Sequence, residues 1–179
     1  MTSRIVRARF LVPTLALLMV CALTVGSAAG ADDSRVTVHR VTVPAAYFVP
    51  GNDNVDYDNI GLNLYVGSGS GVFNAPIPYF YDGADHVFIT RVELLAYDNS
   101  PTDHLCLSLY RGEPGIASDT HMGQMCTPTS GLDPQSITFL TSPRRVNAGQ
   151  RAYLQLWMSG PGGGQLQFYG ARVTYTTNP

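Results

Sequence analysis

Apolar residues recur at every second position along most of this chain. Val36 and Val38 alternate with polar residues, Val41 and Val43 do so in the opposite phase, and the slip at His39-Arg40 predicts a β-bulge. Ile60, Leu62, Leu64 and Val66 predict a second strand. Residues 72–81 predict a third, which Pro76 and Pro78 push to an edge or irregular position. Residues 87–97 are long and β-branched, with Val92, Leu94 and Ala96 in phase. Leu105, Leu107 and Leu109 alternate next, then Ile137 and Phe139, then Ala152, Leu154, Leu156 and Met158. A turn over 160–164 leads into Leu166 and Phe168, Gly170 permits a kink, and Ala171, Val173 and Tyr175 resume in shifted phase. No segment carries the helical period. Eight or nine short strands punctuated by Gly, Pro, Asn and Asp predict an all-β fold: a single-domain, antiparallel, jelly-roll-like β-sandwich.

The first 31 residues break this pattern. Arg4, Arg7 and Arg9 precede an apolar run from Phe10 to Val25, and small residues follow from Gly26 to Ala31. That order is the layout of a secretory signal peptide. Cleavage is expected after Ala31, with Ala29 the alternative, leaving 32–179 as the β-sandwich domain. No second apolar run reaches the roughly 18 residues of a membrane-spanning helix. The expected location is secreted, extracellular or periplasmic.

The remaining chain has eight arginines against eleven aspartates and two glutamates, a net charge near −5, and no lysine. Apart from Arg144-Arg145 the arginines are scattered in sequence, which makes nucleic acid a poor partner, because phosphate binding wants a clustered basic face. Cys21 leaves with the signal, so Cys106 and Cys126 remain as a pair in an oxidising compartment. A hairpin folded about residue 116 would set them opposite one another. Their bond would close a loop worth about 3 kcal/mol on the chain-entropy model.

Residues 82–90 (Asp-Gly-Ala-Asp-His-Val-Phe-Ile-Thr), Tyr97-Asp98-Asn99-Ser100 with Asp103, the run Leu105 to Arg111, and the closing run Leu166 to Tyr175 together resemble a group of small secreted bacterial β-sandwich proteins of unassigned function. The likeness spans most of Tyr47 to Tyr175. It departs from that group's pattern at Asp85-His86, and at Ala171 where valine is expected. Its motifs are turn and core residues, so it implies a fold and no substrate.

Candidate chemistry is sparse. Asn54, Asp56 and Asp58 place hard oxygens on alternating positions, which suits Ca²⁺. The competing reading is a solvated turn whose side chains satisfy their own backbone. No other cofactor is expected. If Leu154, Leu156, Leu166 and Phe168 face the core of a last hairpin, Tyr153, Gln155, Trp157, Gln165, Gln167 and Tyr169 share its other face. Aromatic rings that stack on sugar C–H faces, beside amides that reach hydroxyls, point to carbohydrate. Residues 67–71 (Gly-Ser-Gly-Ser-Gly) lack the serine position of a nucleophile elbow and predict a flexible hairpin loop. Asp98, Asp103 and His104 are expected as residues flanking a hairpin, and Glu93 as a solvated strand residue. The expectation is a non-catalytic binding or surface-associated module, for carbohydrate or another cell-surface component. The alternatives are a secreted hydrolase and a structural subunit of a cell-surface assembly.

Overall fold

The computed structural model describes residues 36–52, 54–78, 84–128, 131–140, 142–159 and 165–177. The expected signal peptide and the 160–164 turn lie outside them. In chain order the strands begin with β1 (Thr37–Pro44), β2 (Val49–Pro50), β3 (Asp56–Asn59), β4 (Leu64–Ser68), β5 (Ser70–Pro76) and β6 (His86–Asp98). They continue with β7 (Leu105–Gly112), β8 (Thr120–Cys126), β9 (Gly131–Phe139), β10 (Arg144–Asn147), β11 (Arg151–Ser159) and β12 (Leu166–Thr177). A 3₁₀ turn at Ala45–Tyr47 follows β1.

These strands form two antiparallel sheets, as a β-sandwich of jelly-roll type requires. In the first, β6 and β12 pair along their lengths. β10 and β9 share the far edge of β6, β1 and β4 share the far edge of β12, and β3 lies outside β4. The second sheet runs β2-β5-β11-β7-β8. The core fills the space between them. Val87, Ile89, Val92 and Leu94 of β6 and Phe168, Ala171 and Val173 of β12 are buried from one side. Leu105, Leu107 and Leu109 of β7 and Leu154, Leu156 and Met158 of β11 are buried from the other. In β11 and β12 the alternation read from the sequence is the alternation of burial, whereas in β7 the outward-phase Cys106 and Ser108 are buried as well. An edge-on contact of Phe48 with Phe168, ring centroids 4.6 Å apart, closes one flank.

Several local expectations are corrected. β1 pairs with β12 without a break from Thr37 opposite Thr177 to Pro44 opposite Gly170, so there is no bulge at His39-Arg40. His39 takes the inward phase of Val41 and Val43 and stacks on Tyr175 at 4.9 Å, while Val36 and Val38 are left exposed. The irregularity belongs to β12, whose register against β6 shifts between Phe168 and Gly170. Gly170 has φ 139°, and a Cβ there would lie 2.7 Å from the Val43 carbonyl oxygen. The kink read at Gly170 thus allows close approach of β1.

Ile60 and Leu62 are not strand residues. Ile60 N–H donates to the Asn63 carbonyl at 3.2 Å, which closes a turn between β3 and β4 and exposes both apolar side chains. β5 ends at Pro76 but is not an edge strand: it lies between β2 and β11. β2 is only two residues long, so it makes no demand on the missing N–H of Pro76. The expected hairpin loop around Gly69 (φ 76°) is instead a corner that carries the chain from the first sheet to the second. β11 and β12 likewise belong to different sheets, so the expected last hairpin does not form. The hairpin read between Leu105 and Cys126 does form, with Cys106 opposite Cys126 in register and disulfide-bonded.

Candidate functional site

The outer face of the second sheet is built by the residues that alternate with its buried leucines. β11 sits at its centre and presents Tyr153, Gln155 and Trp157, all partly exposed. Register adds a neighbour on each side. Trp157 lies between Val72 and Cys106, Gln155 between Asn74 and Ser108, and Tyr153 between Pro76 and Tyr110. β8 extends these rows with Cys126, Gln124 and His121.

Rings and amides are fixed by contacts within this face. The Tyr153 and Tyr110 rings are nearly parallel, 13° apart in plane and 5.4 Å between centroids. His121 packs on Tyr110 at 5.1 Å, and His104 packs on Trp157 at 5.4 Å. Gln155 Nε2 donates to Asn74 Oδ1 at 3.2 Å, and the Tyr153 hydroxyl donates to Asp119 at 2.6 Å. Burial, then the hydrogen bond to Asp119, pushes the Tyr153 phenol well above the ordinary tyrosine range.

Gln167 and Tyr169, read as part of the same surface, lie elsewhere. Both face outward from β12, but β12 belongs to the first sheet. The body of the sandwich separates them from Trp157. There the Gln167 side-chain oxygen accepts from Asn63 at 2.9 Å and from the Tyr169 hydroxyl at 3.2 Å. Gln165, exposed, uses its carbonyl to receive the Asn99 N–H at 2.8 Å. The residues missed as partners of Trp157 are Asn74, Ser108, Tyr110, His121 and Gln124. Their signal was present in part: Ser108 and Tyr110 alternate with Leu107 and Leu109.

Asp56 and Asp58 lie on the edge strand β3, exposed, with Asn54 before it. Their carboxylates are engaged by hydroxyls: Tyr65 donates to Asp58 at 2.7 Å and Ser68 to Asp56 at 3.4 Å. The bond to Asp58 raises the Tyr65 phenol above its ordinary value. Among the described residues, His104, Cys106 and Cys126 bring metal-ligating atoms within 4.8 Å of one another. Both sulfurs are joined in the disulfide, which leaves a single imidazole.

Asp98, Asp103 and His104 flank a crossover from the first sheet to the second, not a hairpin. Asp98 is fully buried and accepts from the Thr127 hydroxyl and from the Ser100 N–H, the latter at 3.0 Å. Asp103 accepts from the Ser100 hydroxyl at 3.0 Å. Glu93 is not solvated: it is 7% exposed, covered by Arg91 at 2.6 Å and Arg172 at 3.3 Å. It does face outward as its phase requires, and the two guanidinium groups cover it.

No family model matches the chain, and no curated protein matches it in sequence. Among solved structures it is similar to a low-affinity xylan-binding module of Roseburia intestinalis, at 13% identity and a TM-score of 0.45, over 78% of this chain and 94% of that one. It is also similar to a carbohydrate-binding module of Piromyces equi, at 11% identity and a TM-score of 0.44, over 79% of this chain and 92% of that one. A third likeness is to the endo-1,4-beta-D-xylanase 10B modules of Clostridium thermocellum complexed with xylohexaose. That likeness has 12% identity and a TM-score of 0.47, over 76% of this chain and 27% of that one.

Proposed function

We propose that the protein is an exported, non-catalytic module that binds glycan chains on the outer face of its second sheet. The observation that carries this reading is the alignment, across β5, β11, β7 and β8, of three aromatic side chains with a row of amides. Trp157, Tyr153 and Tyr110 offer ring surface for sugar C–H faces. Asn74, Gln155 and Gln124 lie between them and offer both donors and acceptors, which is what a hydroxyl-rich ligand needs. Because β5, β11 and β7 are each paired on both sides, the centre of this surface is held in shape before any ligand arrives, and less ordering cost opposes binding. Export is supported by the N-terminal sequence and by the disulfide. The likeness to small secreted bacterial proteins accords with it and names no ligand.

The test is a glycan array, followed by affinity electrophoresis of the wild type and Trp157→Ala on the glycans that score. Retardation of the wild type, lost in a Trp157→Ala protein with unchanged circular dichroism, is the expected result. Failure of the wild type to bind any glycan defeats the proposal, as does turnover of ester or peptide substrates by the purified chain.

A further inference from the structure

Beside the aromatic face, where the edge of the second sheet meets the first, lies a cleft of about 240 Å³. β7 contributes Arg111, β8 contributes Thr120 and His121, and β10 contributes Arg144 and Arg145. Three of the eight arginines downstream of the expected signal peptide therefore meet in one place on an acidic chain. They are brought together by topology. Arg144 and Arg145 lie on β10 at the edge of β6, and Arg111 reaches over from the end of β7 to donate to the Arg145 carbonyl at 3.1 Å.

Among the described residues, no carboxylate lies within ion-pair distance of Arg111, Arg144 or Arg145. Glu93 pairs with Arg91 and Arg172 instead. Asp119, in the β7–β8 connection, is engaged by the Tyr153 hydroxyl. Among the described residues, the side chain that meets the Arg145 guanidinium is His86, through Nδ1 at 3.4 Å. Like charges held together without a counter-charge repel one another, and a bound anion would relieve that repulsion. Guanidinium groups also suit it in shape, since their planar forks match carboxylate and sulfate oxygens.

The cleft is continuous with the aromatic face. His121 lines it, and the same ring packs on Tyr110, which stacks on Tyr153. A chain lying across Tyr153 and Tyr110 passes His121 and arrives at the arginines. We infer that the cleft receives an anionic substituent, a uronate carboxylate or a sulfate ester, of a glycan lying across the Tyr153–Tyr110–His121 row. The inference rests on the glycan reading above and narrows it to acidic polysaccharides. A nucleic acid would use rings and arginines too, but tracking its phosphates takes an extended basic face, and here the positive charge is at one end of the row.

The experiment compares alginate, which carries only carboxylates, κ-carrageenan, which carries only sulfate esters, and a neutral mixed-linkage β-glucan, with single-stranded DNA as a control. Affinity electrophoresis is run at low and high salt on the wild type, Trp157→Ala and the double variant Arg144→Gln/Arg145→Gln. Both arginines are exposed, so the double variant should keep the wild-type melting curve. We expect alginate or carrageenan to bind more tightly than the neutral glucan, and the double variant to lose about ten-fold of that affinity. Which polymer is retained identifies the substituent. Neutral glucan bound as tightly as the acidic polymers, or acidic binding unchanged in the double variant, overturns the inference and leaves the glycan reading standing. Binding of no glycan overturns both. Equal retention of DNA and the acidic glycans, lost together in the double variant, reduces the cleft to a general polyanion patch and also overturns the inference.

Discussion

Asp98, at the end of β6 in the first sheet, accepts a hydrogen bond from Thr127, which follows β8 in the second. Both residues are buried, so this contact ties the two sheets together within the sandwich. Thr127 also receives the Leu105 N–H on its hydroxyl at 3.1 Å and donates its own N–H to the Leu105 carbonyl at 2.8 Å. Thr127→Val keeps the volume and removes both hydroxyl contacts. It leaves a buried carboxylate oxygen and a buried N–H without those partners, a loss of about 1–3 kcal/mol. Thermal melting should fall by roughly 2–4 °C for each kcal/mol in a chain of this size. An unchanged melting temperature would mean that the two sheets do not depend on this contact.

Gly170 sits at the register shift of β12 with φ 139°, against the backbone of Val43 and Pro44. Gly170→Ala meets both the steric limit and the strained dihedral, and should cost at least about 1–3 kcal/mol in urea denaturation. A loss of only a few tenths would show that β1 can move away at little cost.

The disulfide closes the β7–β8 hairpin beside Trp157. Replacing both cysteines by serine should lower stability by about 3 kcal/mol and leave the far-ultraviolet spectrum in place. Intact mass under non-reducing conditions checks the bond directly: the native chain should be lighter than its reduced form by a pair of hydrogens.

Trp157 and Tyr169 lie on opposite outer faces. Trp157→Ala should remove glycan retention while Tyr169→Ala leaves it intact. Loss in both variants would require a single surface, which the separation of β11 and β12 into different sheets forbids.

The Tyr153 phenol is held above the ordinary tyrosine range by burial and by Asp119. Its protonated form is therefore favoured in the folded chain over the unfolded one. That contribution is complete below the unfolded tyrosine value of about 10 and is lost as pH climbs from there through the raised folded value. Ultraviolet titrations of the wild type and Tyr153→Phe should coincide through the ordinary tyrosine range. A smaller tyrosinate amplitude in Tyr153→Phe within that range would contradict the assignment.

The period-two pattern alone determined that the chain is all β, and for the long strands it determined which side chains face the core. Leu154, Leu156, Leu166 and Phe168 are buried, and Tyr153, Gln155, Trp157, Gln167 and Tyr169 face outward, as their spacing requires. The cysteine spacing determined the hairpin and its bond. Short edge strands were not legible. β3 is Asp-Tyr-Asp-Asn and exposed on its outer edge, and β10 buries only Val146, so neither alternates. The composition of the candidate face was decided by tertiary structure. Alternation distinguishes inside from outside, but a sandwich has two outsides, and a strand's own sequence is equally apolar inward whichever sheet it joins. Pairing chose between them: it placed β11 beside β5 and β7, and β12 beside β6, β1 and β4. The same choice set Tyr110 beside Tyr153 and brought Arg111 to the adjacent pair Arg144 and Arg145, more than thirty positions away along the chain, around one cleft.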